Sequence, residues 1–236
     1  MSDNSNYFTK DNLDMYLKEL AKEFRKLNGN KIPAEIILIG GAAILANYGF
    51  RNMTTDIDAI IHASISMKEA INHVGDKYEL PNGWLNTDFM RTASYSPKLD
   101  QYSQHYRTYS NILNIRIVAA EYLIAMKLRA GRKYKNDLSD IIGILAEHEK
   151  LGNPITINDI DRAVSNLYGG WDDFSEDSKA FIKDAMENGN YEQVYSSVQA
   201  EGKSSKEILI NFEYKYPNVT KESNVNDILN SLKKKK

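Results

Sequence analysis

Apolar residues follow two different periods along the chain, and each period predicts a different kind of element. From Leu13 to Leu27 they recur at helical spacing, which predicts an amphipathic first helix. Short continuous apolar runs instead predict buried strands, and they occupy residues 35–39, 56–61 and 112–118. Further helical patterns occupy residues 42–48, 66–78, 121–131 and 136–148. The polar, tyrosine-rich stretch from 86 to 111 predicts no particular element.

The pattern changes near residue 150, because only helical runs follow Pro154. We therefore predict a mixed α/β domain over residues 1–150 and a helical C-terminal region over residues 151–236. Four pairs of residues, three apart, are typical of helix N-caps, in which a side-chain oxygen accepts from a backbone N–H of the first turn. These pairs are Ser66 with Glu69, Thr156 with Asp159, Ser204 with Glu207, and Asn224 with Asp227.

Composition excludes several classes of protein. The formal net charge of −2 argues against a broadly basic protein that coats nucleic acid. The chain has no cysteine, which excludes disulfides, thiolate metal sites and cysteine nucleophiles. The N-terminus lacks the apolar core of a signal peptide, and no apolar run approaches the roughly 18 residues of a transmembrane helix. We therefore expect a cytoplasmic protein without a membrane partner.

Two aspartates interrupt the second predicted strand, with an isoleucine between them. Side chains alternate across a strand, so Asp56 and Asp58 point to one face while Ile57 points to the other. Neighbouring carboxylates raise each other's pKa unless a cation lies between them. Mg²⁺ commonly binds one or two protein carboxylates and completes its shell with water and phosphate oxygens. The pair predicts a site for Mg²⁺ or Mn²⁺, although an edge strand with both carboxylates in solvent gives the same spacing.

A glycine pair precedes the acidic pair. Gly40 and Gly41 stand where the first predicted strand ends and a helix begins. A turn without Cβ atoms lets a phosphate approach the backbone N–H groups at a helix N-terminus. An ordinary tight turn also explains two glycines. The order along the chain, a glycine turn and then an acidic strand, favours a phosphate site beside a metal site.

The segment 40–58 resembles the signature of the DNA polymerase β-like nucleotidyltransferase superfamily, in particular its bacterial abortive-infection and toxin-type branch. That signature has Gly-Gly or Gly-Ser, followed by Arg-x-(Ser/Thr)-x-Asp-(Ile/Leu)-Asp. Arg51, Thr54, Thr55 and the two aspartates match it in order, with one extra residue between Arg51 and Asp56. A second glycine stands in place of the more usual serine, which removes a hydroxyl that many members direct at the triphosphate.

A lysine and two aspartates form a second informative group. Lys127 lies within an apolar helical pattern, and Asp137 and Asp140 share one face at the start of the next pattern. A lysine stem on an apolar surface and acids in a first helical turn are ordinary structural features. Beside a phosphate site, the lysine would instead neutralise developing negative charge. Toxin-type members carry a similar pattern, which is matched in order by Lys127, Arg132, Lys135, Asp137 and Asp140.

Many superfamily members carry a third carboxylate on a later strand, where it acts as a base. The predicted strand 112–118 contains no acid. We expect Asp137 to replace it, because the helical pattern brings this residue back towards Lys127. Glu121, which directly follows the strand, is expected to be a first-turn helix acid.

Aromatic and basic residues are interleaved in the unassigned stretch. Tyr102, Tyr106 and Tyr109 share helical spacing, with His105 and Arg107 between them. Such a surface can stack the bases of single-stranded RNA, although a packed helix face is the commoner explanation.

The resemblance implies an α+β nucleotidyltransferase fold, in which helices flank a small mixed sheet. It implies transfer of a nucleoside monophosphate from an NTP to an RNA or tRNA 3′ end or to a protein hydroxyl. It also implies an antitoxin partner or a role in phage defence. Asp56 and Asp58 would bind the metal, while Lys127 and Asp137 would support catalysis. The expected nucleotide-binding residues are Gly40, Gly41, Arg51, Thr55, Arg132 and Asp140. A catalytically weak binding module with the same fold and an antibiotic-type nucleotidyltransferase are the alternatives.

Overall fold

A computed structural model describes residues 7–29, 32–132, 135–221 and 224–233. The helices in these ranges are α1 (Lys10–Asn28), α2 (Gly40–Asn47), α3 (Ser66–Lys77), α4 (Ala120–Ala130), α5 (Asp137–Lys150), α6 (Ile157–Tyr168), α7 (Glu176–Asn188), α8 (Tyr191–Lys215) and α9 (Val225–Lys233). The strands are β1 (Ala34–Leu38), β2 (Ile57–His62), β3 (Leu85–Asn86), β4 (Ser103–Tyr109) and β5 (Leu113–Val118).

The strands form one mixed sheet in the order β3-β2-β1-β5-β4. β1 pairs antiparallel with β2 and parallel with β5, while β3 is parallel to β2 and β4 is antiparallel to β5. The strands predicted at 35–39, 56–61 and 112–118 are confirmed as β1, β2 and β5. The predicted fold class, an α+β protein with helices flanking a small mixed sheet, is therefore confirmed.

The first of two compact units comprises residues 1–123 and 163–169 and contains the whole sheet. Its central strand β1 is buried along nearly its full length. α1 packs against α3. The apolar stripe that predicted α1 is also the face that this helix buries, through Leu13, Leu17, Leu20, Ala21 and Phe24. The hydrophobic effect therefore explains both why α1 packs through its apolar stripe and why the apolar strand β1 is buried.

The second unit comprises residues 124–162 and 170–236, and its described residues form helices and connecting turns. α5 packs against α8, and α8 contacts α9. The side chains of Leu209, Val225 and Leu229 form a small buried apolar cluster between α8 and α9.

The two units divide the chain along different lines from the predicted domains. A helical region over 151–236 agrees with the described residues after Pro154, which contain helices and no strand. The unit boundaries fall inside α4 and α6 instead of near residue 150. The division into domains at 1–150 and 151–236 stays a prediction.

Two of the four predicted helix starts agree with the structure. At α6, the Thr156 hydroxyl accepts from the Asp159 N–H at 3.3 Å, and the Asp159 carboxylate accepts from the Thr156 N–H at 2.9 Å. This is the reciprocal arrangement of a capping box. α9 begins at Val225, directly after Asn224, as predicted.

The other two predicted caps are wrong. Ser66 is the first residue of α3, and the preceding Ile65 has no side-chain acceptor to cap the helix. Ser204 lies within α8, which continues without a break from Tyr191 to Lys215. A serine followed by a glutamate therefore occurs in the interior of a long helix as well as at its start.

The tyrosine-rich stretch forms the edge strand β4, so the helix-face interpretation is wrong. A bulge at Tyr106 shifts the register, which brings Tyr106 and Tyr109 to the same side of the strand although they are three residues apart. Both hydroxyls donate to Asp14 of α1, at 3.3 and 2.7 Å, and Arg107 pairs with the same carboxylate. Tyr102 stacks on another tyrosine ring. Base stacking by these residues stays a prediction.

The segment before α1 closes over the residues that lead into β2. Phe8 and Thr54 exchange two backbone hydrogen bonds of 2.7 and 2.9 Å. The Phe8 ring is 1% exposed and packs against Tyr16 and Trp84, with ring centroids 5.8 and 6.1 Å away. The backbone just before Asp56 is therefore held by the N-terminal segment.

Replacing Phe8 with alanine is expected to lower the free energy of unfolding by about 3–5 kcal/mol, because the change removes a buried ring and leaves a cavity. Urea denaturation followed by circular dichroism measures the loss. Tyr7→Ala is the matched control, since the Tyr7 side chain is 43% exposed, and its effect should stay below about 1 kcal/mol. Equal losses for the two variants would contradict the packing of Phe8.

Candidate active site

The sheet brings the glycine turn and the acidic strand to the same edge. β1 ends at Leu38, and α2 begins two residues later at Gly40. Because β2 is antiparallel to β1, its first residues lie beside the last residues of β1. The Ile39 N–H donates to the Asp58 carbonyl at 3.1 Å, which fixes the two segments next to each other.

The acidic pair flanks a core residue. Ile57 is fully buried, whereas Asp56 is exposed and Asp58 is partly exposed. This alternation is what two carboxylates on the open face of a strand produce. One oxygen of Asp58, Oδ2, lies 3.5 Å from the point where a Cβ at Gly40 would stand. The Asp58 carboxylate therefore lies directly beside the glycine turn.

Both glycines are required at the turn, for different physical reasons. Gly40 has a left-handed φ of 55°, which residues with a side chain rarely adopt. A Cβ at Gly41 would lie 2.6 Å from the Thr54 hydroxyl and 2.8 Å from Nη2 of Arg51. Both distances are shorter than van der Waals contact. The side chains of Thr54 and Arg51 therefore occupy the space that a serine at position 41 would need.

The described strands carry no third carboxylate at the level of the acidic pair. Continuing the register of β1 by one residue places Ile39 beside Asp58 of β2 and beside Val118 of β5. Val118 is fully buried, so the position that a strand acid would need is part of the core. Among the described residues, no cluster of three or more His, Cys, Asp or Glu side chains could hold a metal ion.

Two carboxylates are nevertheless sufficient for the expected ion. Mg²⁺ is usually bound through one or two carboxylates, together with water and substrate phosphates. Asp56 and Asp58 offer hard oxygen donors that solvent reaches, and Asp58 lies beside the glycine turn. The chemistry of these donors fits Mg²⁺ or Mn²⁺ and does not fit a soft metal.

Lys127 of α4 and the acids of the first turn of α5 form a buried ion cluster. Nζ of Lys127 lies 3.0 Å from Oδ1 of Asp137 and 2.7 Å from Oδ2 of Asp140. Arg132 donates to Asp137 through Nε at 2.7 Å and through Nη2 at 3.3 Å. Lys127, Asp137 and Asp140 are 7%, 2% and 3% exposed. The ammonium group therefore pairs with carboxylates in the interior and does not extend to solvent.

The electrostatics of this cluster favour a charged Asp137. Burial alone would raise the pKa of the Asp137 carboxyl, but Lys127 and Arg132 outweigh this effect and lower that pKa below its ordinary value. A general base needs a pKa near the working pH. The predicted role of Asp137 as a base stays a prediction, and the geometry is better suited to holding the two cations in place.

The predicted site residues fall into two groups, one in each compact unit. The first unit contains Gly40, Gly41, Arg51, Thr55, Asp56 and Asp58, and the second contains Lys127, Arg132, Asp137 and Asp140. Thr55 is exposed, and its hydroxyl donates to Oδ1 of Asp56 at 3.4 Å. The sequence prediction named Thr54 in the signature but chose Thr55 as the nucleotide-binding residue, and Thr54 is the one that is buried beside the glycine turn. The sequence alone does not distinguish Thr54 from Thr55, because they differ only in how the fold packs their side chains.

Replacing Lys127 with methionine is expected to lower the free energy of unfolding by about 3–5 kcal/mol, because two buried carboxylates lose their shared cation. Urea denaturation at neutral pH measures the change. Lys179→Met is the matched control, since its partner Glu176 has a side chain that is 88% exposed, and should cost less than about 1 kcal/mol. A loss no larger than that of the control would contradict the buried cluster.

The cluster also predicts acid sensitivity. The pKa of Asp137 is lower in the folded state, so its stabilising effect is complete above the unfolded pKa of about 3.9 and is lost as pH falls through the folded pKa. The difference in unfolding free energy between wild type and Asp137→Asn should be constant between about pH 5 and 7 and shrink below about pH 4. Urea titrations across this range test it. A difference that grows in acid would contradict the direction of the pKa change.

Comparison with known families gives independent information about the family of the chain. Residues 15–177 match the model of a family described as nucleotidyltransferase of unknown function (DUF6036). The match covers more than half of the chain and includes both groups of predicted site residues. No curated protein and no solved structure matches the chain. The chain therefore belongs to this family of nucleotidyltransferases of unknown function.

Proposed function

We propose that the protein is a Mg²⁺- or Mn²⁺-dependent enzyme that transfers a nucleoside monophosphate from an NTP to an acceptor hydroxyl. The observation that carries the proposal is the Asp58 carboxylate beside the left-handed Gly40, with Oδ2 3.5 Å from a Cβ position there. A carboxylate pair beside a turn that opens a helix combines ligands for a cation with backbone donors for phosphate. Membership of a nucleotidyltransferase family supports the same reaction class.

In the proposed reaction, the acceptor oxygen attacks the α-phosphorus of the NTP. A new P–O bond forms, the bond from the α-phosphorus to the oxygen that bridges to the β-phosphate breaks, and pyrophosphate leaves. We assign the hydroxyl proton to solvent, because Val118 occupies the level of the sheet where a strand acid would be needed. The chain's contribution is then mainly positioning and charge compensation.

Each residue of the first group has a proposed role. Asp56 and Asp58 would hold the metal ion, whose charge would offset that of the triphosphate. The backbone amides of Gly40 and Gly41 would bind the β- and γ-phosphates at the start of α2. Arg51 would compensate further negative charge. Catalytic roles for Lys127 and Asp137, and nucleotide-binding roles for Thr55, Arg132 and Asp140, are proposals supported by the superfamily resemblance.

The resemblance also suggests what the acceptor is. An RNA or tRNA 3′ end or a protein hydroxyl would receive the nucleotide, as in toxin-type members of the superfamily. On this proposal an antitoxin is a partner, and the protein acts in a cytoplasmic toxin–antitoxin or phage-defence system. Along the described chain, no helix combines the length and apolarity needed to cross a bilayer.

A second candidate is a nucleotide-binding module with little turnover, and Val118 is the observation that favours it. A buried valine at the level of the acidic pair removes the position from which a strand base would act. Such a module would still bind an NTP through its metal ligands and the glycine turn. An antibiotic-type nucleotidyltransferase is a third candidate with the same metal ligands but a small-molecule acceptor.

Incubation of the protein with each α-³²P-labelled NTP, Mg²⁺ and total tRNA is expected to label RNA. Asp56→Asn should reduce the rate at least about 100-fold, because the metal loses a charged ligand. Asp11→Asn is the matched control. Asp11 is an exposed aspartate of the same unit, outside the site, and its replacement should leave the rate unchanged.

The acceptor is identified by where the label appears. If the label appears on a protein or only on an aminoglycoside, nucleotidyl transfer is supported but the acceptor is not RNA. NTP binding without labelling of RNA, protein or small molecule would favour the binding module. Absence of both binding and labelling would contradict the proposed function.

A further inference from the structure

The Thr54 hydroxyl lies beside the first turn of α2, which begins at the glycine pair. Its oxygen is 2.6 Å from the Cβ position of Gly41, in the first turn of α2. Gly41 has no side chain of its own, so the hydroxyl next to this turn comes from a different segment of the chain. The hydroxyl makes no hydrogen bond to another residue in the described parts of the chain, and it keeps both donor and acceptor capacity.

The position of this hydroxyl is fixed by its surroundings. Thr54 is 5% exposed, and its backbone N–H and carbonyl both bond to Phe8, at 2.9 and 2.7 Å. A β-branched side chain on a fixed backbone has few rotamers. The hydroxyl is therefore preorganised, and little side-chain entropy would be lost when it binds a ligand.

The guanidinium group of Arg51 also lies beside Gly41. Nη2 of Arg51 lies 2.8 Å from the Cβ position of Gly41, and Nε of Arg51 donates to the Met53 carbonyl at 3.1 Å. A guanidinium and a hydroxyl beside the start of a helix are donors that match phosphate oxygens. The neighbouring Thr55 differs, because it is exposed and its hydroxyl donates to Asp56, a metal-ligand candidate.

Resting on the proposed function, we infer that Thr54, and not Thr55, donates the hydroxyl that binds the phosphate chain of the NTP at this turn. The presence of Thr54 then explains why residue 41 is a glycine, because a side chain at position 41 would overlap the Thr54 hydroxyl. Only one of the two positions can carry a side chain there. A serine at position 41 becomes possible when the hydroxyl of residue 54 is removed and the flexible end of the Arg51 side chain moves aside.

The test measures NTP affinity of the full-length protein by isothermal titration calorimetry, with Mg²⁺ and each NTP in turn. Thr54→Val should weaken binding at least about tenfold, because a hydrogen bond to a charged group is lost while the shape is kept. Thr54→Ser should stay within about threefold of wild type, since the hydroxyl remains. Thr108→Val is the control. It removes the hydroxyl of an exposed residue in β4 of the same unit and should leave the NTP affinity unchanged.

A double variant that moves the hydroxyl from position 54 to position 41 separates an effect on NTP binding from an effect on folding. Gly41→Ser alone should weaken binding, because its Cβ would clash with Thr54. Gly41→Ser combined with Thr54→Ala should bind at least about tenfold more tightly than Thr54→Ala alone, because it returns a hydroxyl to the turn. Thermal unfolding of every variant accompanies the titrations.

Several results would overturn the inference. Wild-type affinity in Thr54→Val, a loss confined to Thr55→Val, or no gain from the combined variant would each contradict the role of Thr54 while leaving the proposed function intact. No binding of any NTP by the wild-type protein would overturn the proposed function, and the inference with it.

Discussion

The antiparallel pairing of β1 with β2 is the constraint on which the candidate site depends. It places the end of β1, where Gly40 and Gly41 follow, beside the start of β2, where the acidic pair lies. The side-chain period of a strand is two, so a register slip of one residue would bury Asp56 and Asp58 and expose Ile57. Burial of Ile57 in the core sets the face on which the carboxylates lie. The hydrophobic packing that buries Ile57 therefore also determines where the two carboxylates of the candidate site lie.

The chain contains two acidic pairs in different surroundings, one buried and one partly exposed. Asp137 and Asp140 are buried, and protein cations, chiefly Lys127, neutralise them. Their burial is tolerable because the charges are paired and hydrogen-bonded. Asp56 and Asp58 lie on an open face beside a turn without side chains. The first pair has its cations built into the fold, whereas the second pair lies at the turn where we propose that a metal ion and an NTP bind.

Apolar periodicity was sufficient to predict β1, β2, β5 and most helices, because these elements bury their apolar faces. It failed for β4, where a bulge at Tyr106 places residues three apart on one side and imitates a helix. The acidic pair and the glycine turn were found because their chemistry is local in sequence. Thr54 was named in the signature but not chosen as a ligand, because its contacts with Phe8 and Gly41 join segments that are adjacent only after folding. The lowered pKa of Asp137 likewise needs the buried partners.

We propose that the acidic pair and the glycine turn form one joint site for a cation and an NTP. Electron paramagnetic resonance of Mn²⁺ tests it directly, with and without an NTP analogue that cannot be cleaved. Binding of two ligands at one site is reciprocal, so the analogue should tighten Mn²⁺ binding by about tenfold or more. In the same titration, Asp58→Asn should lose both the binding of Mn²⁺ and the effect of the analogue. Mn²⁺ binding that is equal in wild type and Asp58→Asn, and insensitive to the analogue, would contradict the account.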